Sequence, residues 1–146
     1  MKKFATAAVL VALVALVATA FASAGRTSSK MLGATLNAKQ EVPAQVVKDA
    51  TAKGAFTGTL TGTKLTWKLT FTGLTGPATA AHIHMGGMGT AGAVLVALCG
   101  PCTSGAHGTA TLPAAVSKAL SKHLAYVNVH TAKNPNGEIR GQISEH

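Results

Sequence analysis

The segment Lys64-Leu65-Thr66-Trp67-Lys68-Leu69-Thr70-Phe71-Thr72 alternates polar and apolar residues without interruption. Successive side chains of an extended backbone point to opposite faces, so Leu65, Trp67, Leu69 and Phe71 share one face and Lys and Thr the other. That is the two-residue period of a strand with one buried side. Threonine suits the outward positions because its β-branched side chain packs well on a pleated, half-wet surface. The same habit appears upstream at Leu36 and at Phe56 and Leu60. Turn-forming residues cut these runs at Gly54, Gly62, Gly73, Gly76-Pro77, Gly86-Gly87, Gly100-Pro101 and Asn134-Pro135-Asn136-Gly137. Short strands separated by turn signals every ~8 to 12 residues predict an all-β fold, an antiparallel Greek-key-like β-sandwich or barrel of about 7-8 strands. The expected strands are 32–39, 54–61, 64–72, 79–85, 93–98, 107–112, 124–131 and 138–143. One short helix is expected near 113–123, with Pro113 in its first turn and Val116, Leu120 and Leu124 spaced by four.

Residues 1–24 read as an export signal. Lys2 and Lys3 precede an apolar run from Phe4 to Phe21, and Ala22-Ser23-Ala24 offers the small residues a signal peptidase accepts, with cleavage expected before Gly25. An uncleaved anchor is the alternative, since the run approaches the ~18 residues that span a bilayer. Residues 25–31 are polar and small and are expected to form a flexible lead-in to one domain over 32–146. After cleavage no transmembrane segment is expected, and the location is secreted or extracytoplasmic, in periplasm or cell envelope.

Loss of Lys2 and Lys3 takes the formal charge from +9 to +7. The eleven remaining cations are dispersed, among them Lys39, Lys48, Lys53, Lys64, Lys68, Lys118, Lys122, Lys133 and Arg140, with no stripe interleaved by aromatics, so specific nucleic-acid binding is not indicated. Only four acids exist in the chain, which gives paired-carboxylate hydrolysis little to work with. No nucleophile turn suggests Ser-His-Asp chemistry.

Cys99-Gly100-Pro101-Cys102 has the spacing of a thiol-disulfide redox centre. Such a centre needs its first thiol at a helix N-terminus, whereas Thr103-Ser104-Gly105-Ala106-His107-Gly108 reads as a loop. A local structural disulfide between Cys99 and Cys102 is the favoured reading, with redox or metal chemistry as alternatives.

His82 and His84 flank Ile83, so on a strand both imidazoles share one face. In Tyr126-Val127-Asn128-Val129-His130 the valines oppose Tyr126, Asn128 and His130, and the later isoleucines oppose Glu138, Arg140 and Gln142. As neighbours in one sheet, these rows would form a contiguous polar patch. Two readings stay open. One is a hydrogen-bonded network or ligand surface of Tyr126, Asn128, Arg140 and Gln142 that fixes strand register. The other is a divalent metal site, zinc or copper, built from His82, His84 and His130 with Glu138 as fourth ligand or supporting group. Coordination would require ring nitrogens within about 3 to 4 Å of one another. His107, His123 and His146 are expected to be surface residues.

Taken together, Leu36-Asn37-Ala38-Lys39-Gln40-Glu41-Val42-Pro43, Ala81-His82-Ile83-His84, Tyr126-Val127-Asn128-Val129-His130-Thr131 and Asn136-Gly137-Glu138-Ile139-Arg140-Gly141-Gln142-Ile143 resemble the CHRD (chordin) domain family of bacterial exported proteins. The resemblance spans Leu32 to Ile143 and implies a β-rich domain. In chordin such domains accompany binding of secreted growth factors, which implies a non-enzymatic binding or structural module with an extracellular or envelope ligand. A metalloprotein with redox activity is the alternative. Its His-x-His pair is similar to that of copper-zinc superoxide dismutase only at the level of fold, which transfers no function.

Overall fold

A computed structural model describes residues 28–43 and 51–146. The expected export signal and its cleavage point lie outside the described residues. The strands are β1 (Ser29–Asn37), β2 (Lys53–Thr61), β3 (Lys64–Thr72), β4 (Ala78–Met85), β5 (Val94–Cys99), β6 (His107–Thr111), β7 (Ala125–Thr131), β8 (Ile139–Gln142) and β9 (Ser144–Glu145). Helix α1 (Ala114–Ser121) separates β6 from β7. The alternation that predicts β3 is visible in its burial: Leu65 and Leu69 are inaccessible and Trp67 nearly so, while Lys64, Thr66 and Lys68 are exposed.

All pairings are antiparallel, in the order β5-β4-β7-β8-β1-β2-β3-β6, with β9 continuing the β8 side of β1. This single sheet curls into a nearly closed barrel, with the two end strands β5 and β6 in contact but not paired. Between the sandwich and barrel expected from the sequence, the chain adopts the barrel. Its interior is filled by Leu36, Phe56, Leu69, Ile83, Val127 and Ile139, and α1 adds Val116 and Leu120 to the same core.

Two boundaries differ from expectation for local reasons. Strand β1 begins at Ser29, inside the expected lead-in 25–31, because Ser29 to Met31 pair with Thr61 to Thr59 of β2. Ser29 and Lys30 bury no apolar side chain there, so periodicity carries no signal. The strand stops at Asn37, whose Oδ1 accepts from the Gln40 N–H at 3.2 Å and starts a short 3-10 turn over Ala38–Gln40. Leu124, expected on the apolar stripe of the helix, follows its end and is exposed.

Cys99 and Cys102 are joined by a disulfide, and Cys102 N–H donates to Ala78 O at 3.0 Å. The residues that follow form a turn, with Ala106 N–H bonded to Thr103 O, and no helix begins there. No described helix is long and apolar enough to cross a membrane.

Strand β8 crosses β1 closely: a Cβ built on Gly141 would lie 2.7 Å from Thr35 O and 3.1 Å from Leu36 Cγ. Backbone cannot yield as a flexible side chain can, so Gly141→Ala is expected to cost ~1–3 kcal/mol in chemical denaturation through overpacking. An unchanged midpoint would show that the crossing is looser than described.

Candidate metal centre

Strands β4, β7 and β8 are consecutive neighbours in the sheet. Their register sets His82 opposite Asn128, His84 opposite Tyr126, Asn128 opposite Arg140 and Tyr126 opposite Gln142. Ile83, Val127, Val129 and Ile139 of these strands belong to the barrel core, so the polar rows face away from it. That outer face is nonetheless dry. All seven residues of β7 are buried, and on the polar side Tyr126, Asn128, His130 and Arg140 are each less than a tenth exposed.

The cover is a strap, Gly86 to Gly92, that follows β4. Arg140 donates from Nη1 to Thr90 O at 2.9 Å and from Nη2 to Gly87 O at 2.7 Å. Gln142 Nε2 donates to Gly86 O, and the Gly92 N–H donates to the Tyr126 hydroxyl. The Arg140 guanidinium lies 3.5 Å from the Tyr126 ring centroid, and the same ring stacks on His84 at 5.0 Å with 10° between planes. A cation over an aromatic face is attracted by the ring quadrupole, more so when both are desolvated. Arg140, placed by the sequence in the polar row opposite the isoleucines, is 2 % exposed, because strap carbonyls replace its water.

Three imidazoles converge beneath this cover. His82 Nδ1 lies 3.1 Å from His130 Nε2, and one ligand atom from each of His82, His84 and His130 falls within 4.8 Å of the others. The closest pair meets the 3 to 4 Å separation expected for shared coordination, and the trio as a whole is more open. His84 Nδ1 contacts Gly92 O and His130 Nδ1 contacts Pro135 O, each at 3.0 Å. A carbonyl oxygen can only accept, so in both rings Nδ1 carries the proton and, in the neutral form, Nε2 carries a lone pair. The neutral form is favoured. Burial lowers the pKa of all three rings, opposed at His84 by its bond to Gly92 and at His130 by its bond to Pro135. His84 Nε2 is buried and has no hydrogen-bond partner among the described residues.

Glu138, expected as a fourth ligand or supporting group, is not part of this convergence. Its carboxylate accepts from Thr75 N–H at 2.6 Å, Thr75 Oγ1 at 2.7 Å, Thr131 Oγ1 at 2.6 Å and Asn134 Nδ2 at 3.0 Å. Burial pushes its pKa up, but bonds from Thr131, Thr75 and Asn134 outweigh burial and hold it below the usual carboxylate range. Glu138 is thus a brace between the turn after β7 and the segment before β4. Its main partner, Thr75, is 63 residues away, and no spacing rule could have revealed it.

A second acid, Glu41, lies over the patch unassigned by spacing. It is 5 % exposed, accepts from Asn128 Nδ2 at 3.3 Å, and leaves Oε1 without a partner among the described residues. Burial raises its pKa to about 7 against the lowering influence of Asn128 and Arg140. His107, His123 and His146 are exposed, as expected.

A family model, the CHRD domain, matches residues 32–143. No curated protein sequence and no solved structure matches the chain significantly.

Two measurements test this electrostatic description. A carboxyl with a raised pKa leaves folding unpenalised below pH 4.5 and costs stability increasingly as pH rises to about 7. Glu41→Gln is therefore expected to match wild-type stability near pH 4 and to exceed it by ~2 kcal/mol at pH 8, in urea melts at both pH values. A gain independent of pH would contradict the assignment. Glu138→Gln turns an amide NH2 toward groups that need an acceptor, and a loss of about 2–3 kcal/mol is expected. Because Glu138 has a depressed pKa, its contribution is present above pH 4.5 and lost as pH falls below it. The variant's deficit should therefore shrink in acid.

Proposed function

This chain belongs to the CHRD domain family, and from that membership and the site above we propose that it is an exported, non-enzymatic binding module that holds one divalent transition-metal ion on His82, His84 and His130. One observation carries the metal reading: two backbone carbonyls fix His84 and His130 as Nδ1–H tautomers, and the freed Nε2 of His84 has no protein partner among the described residues. Metal-ligating histidines characteristically donate their other ring N–H to a carbonyl or carboxylate, which orients the ring and raises its basicity. A buried ring nitrogen without a partner loses its hydration for nothing unless another species occupies that point.

Three rings that burial keeps neutral suit the same end, because an imidazolium cannot coordinate. In the ion-free protein His82 Nδ1 donates to His130 Nε2. On ion binding His82 would carry its proton on Nε2, an exchange that its partly exposed ring can make through water. Nitrogen donors of this kind suit zinc or copper. Ligands about 2.0–2.1 Å from a shared zinc lie no more than about 4.2 Å apart, so the widest separation in the trio shortens on ion binding.

Export rests on the N-terminal Lys2-Lys3, apolar run and Ala22-Ser23-Ala24 pattern. The Cys99–Cys102 disulfide supports the same compartment, because such bonds persist where the surroundings are oxidising. The absence of a nucleophile turn and the engagement of Glu138 in bracing support binding rather than turnover.

Elemental analysis of purified protein is expected to find one zinc or copper per chain. A thermal melt should rise on adding that ion and fall with chelator, by about 2.7 kcal/mol at an ion concentration a hundredfold above the dissociation constant. His84→Ala and His130→Ala should abolish the effect. His82→Ala, at a partly exposed position that leaves the fold intact, should weaken binding by more than about tenfold. No retained ion and no melting shift would defeat the metal reading. Hydrolytic or redox turnover by metal-replete protein, abolished by one substitution, would defeat the non-enzymatic one.

A further inference from the structure

We propose that the ion on His82, His84 and His130 keeps an open coordination position, reached from solvent past His82, and that a small anion or a carboxylate binds there. The proposal rests on the metal reading above and adds to it the chemistry of the missing ligand.

Counting donors comes first. Among the described residues only three potential ligand atoms converge. Glu138 and the Tyr126 hydroxyl, near by sequence and register, are committed elsewhere, and Asn128 Oδ1 is unpartnered among the described residues but is a neutral amide oxygen. Glu138 is bound by Thr75, Thr131 and Asn134, and the Tyr126 hydroxyl accepts from Gly92 N–H. Glu41 accepts from Asn128 through Oε2 and has Oε1 unpartnered among the described residues, but it lies outside the converging set. Closed zinc sites use four protein ligands, whereas sites with three protein ligands complete their shell with water or an exogenous group.

Charge then selects the kind of group. Three neutral imidazoles return nothing against the two positive charges of the ion, and the Arg140 guanidinium adds a third nearby, across Tyr126 from His84. A partly dehydrated, uncompensated charge is costly, so an anionic donor is favoured over a neutral one. This differs from a site with a carboxylate or thiolate ligand, whose own charge offsets the ion.

Geometry supplies the route. His84 and His130 are buried under the strap and the turn after β7, but His82 is only partly covered. The residues set beside the trio on the open side are small: Ala97 of β5 opposes His82, and Ala80 of β4 opposes His130. Ala97 is exposed. Cross-strand partners have Cβ atoms about 4.5–5.5 Å apart, so a large side chain at 97 would lie over the His82 ring, and alanine leaves that approach clear.

The test uses the full protein loaded with cobalt(II) or copper(II), whose ligand-field absorption reports the coordination shell. Azide serves as the inorganic probe and acetate as the carboxylate probe, each titrated at fixed pH with metal content measured after dialysis. The expected result is a spectral change that saturates at one anion per ion while the metal stays bound. Response to azide alone assigns an inorganic ligand, and response to both admits a carboxylate from a partner. Stoichiometric metal uptake with a spectrum indifferent to both probes would overturn the open position and leave the metal reading standing. Failure to take up cobalt, copper or zinc would overturn both. Release of the metal by azide would also count against the proposal, because it would mean that the anion competes for the ion rather than joining its shell.

Discussion

A buried guanidinium governs the outer layer of this barrel. Arg140 is almost wholly removed from water, and what replaces its hydration is specific: the carbonyls of Gly87 and Thr90, the face of Tyr126 and the side chain of Gln142. Removing a charge from water costs several kcal/mol, so such a group persists only where its donors are met. The demand runs in both directions. Satisfying Arg140 requires the strap to lie across the sheet, and the strap so placed presents Gly92 O to His84. The tautomer of His84 is therefore set two strands away from the arginine that anchors its cover.

Much of this arrangement was legible in the residues. The two-residue alternation of β3, β4, β7 and β8 is dictated by one face packing on a core, and it identified both the barrel strands and the side on which His82, His84, His130, Tyr126, Asn128, Arg140 and Gln142 would gather. What alternation does not encode is whether the non-core face is wet. On β3 the outward Lys64, Thr66, Lys68 and Thr72 are exposed, whereas on β7 the outward Asn128 and His130 are buried, although both strands alternate equally well. The difference lies in irregular segments, 38–43 and 86–92, whose carbonyls and turns leave no periodic trace. Glu138 illustrates the same limit: a carboxylate beside a histidine row looks like a ligand in sequence, and only the fold reveals that Thr75 and Asn134 already hold it.

The CHRD domain thus has two layers with different physics. Inside, Phe56, Leu69, Ile83 and their neighbours are held by non-directional apolar burial. Outside, a small polar layer over β4, β7 and β8 is held by directional bonds, each with a fixed donor and acceptor. Such a layer tolerates little substitution, because a lost partner leaves a buried group unsatisfied. Its unfilled positions among the described residues, His84 Nε2, Glu41 Oε1 and Asn128 Oδ1, are accordingly where an outside species has most to offer.

The last consequence concerns the barrel's seam. Strands β5 and β6 are consecutive in the chain yet occupy opposite ends of the sheet order, so the segment from Gly100 to Ala106 bridges the gap that hydrogen bonds leave open. Cys102 ties that bridge to Cys99 covalently and to Ala78 through its backbone. An open sheet would offer two bare rims as templates for strand addition by another copy. Here the two rims touch beside a stapled hem, which leaves less of each free as such a template without a complete ladder of closure.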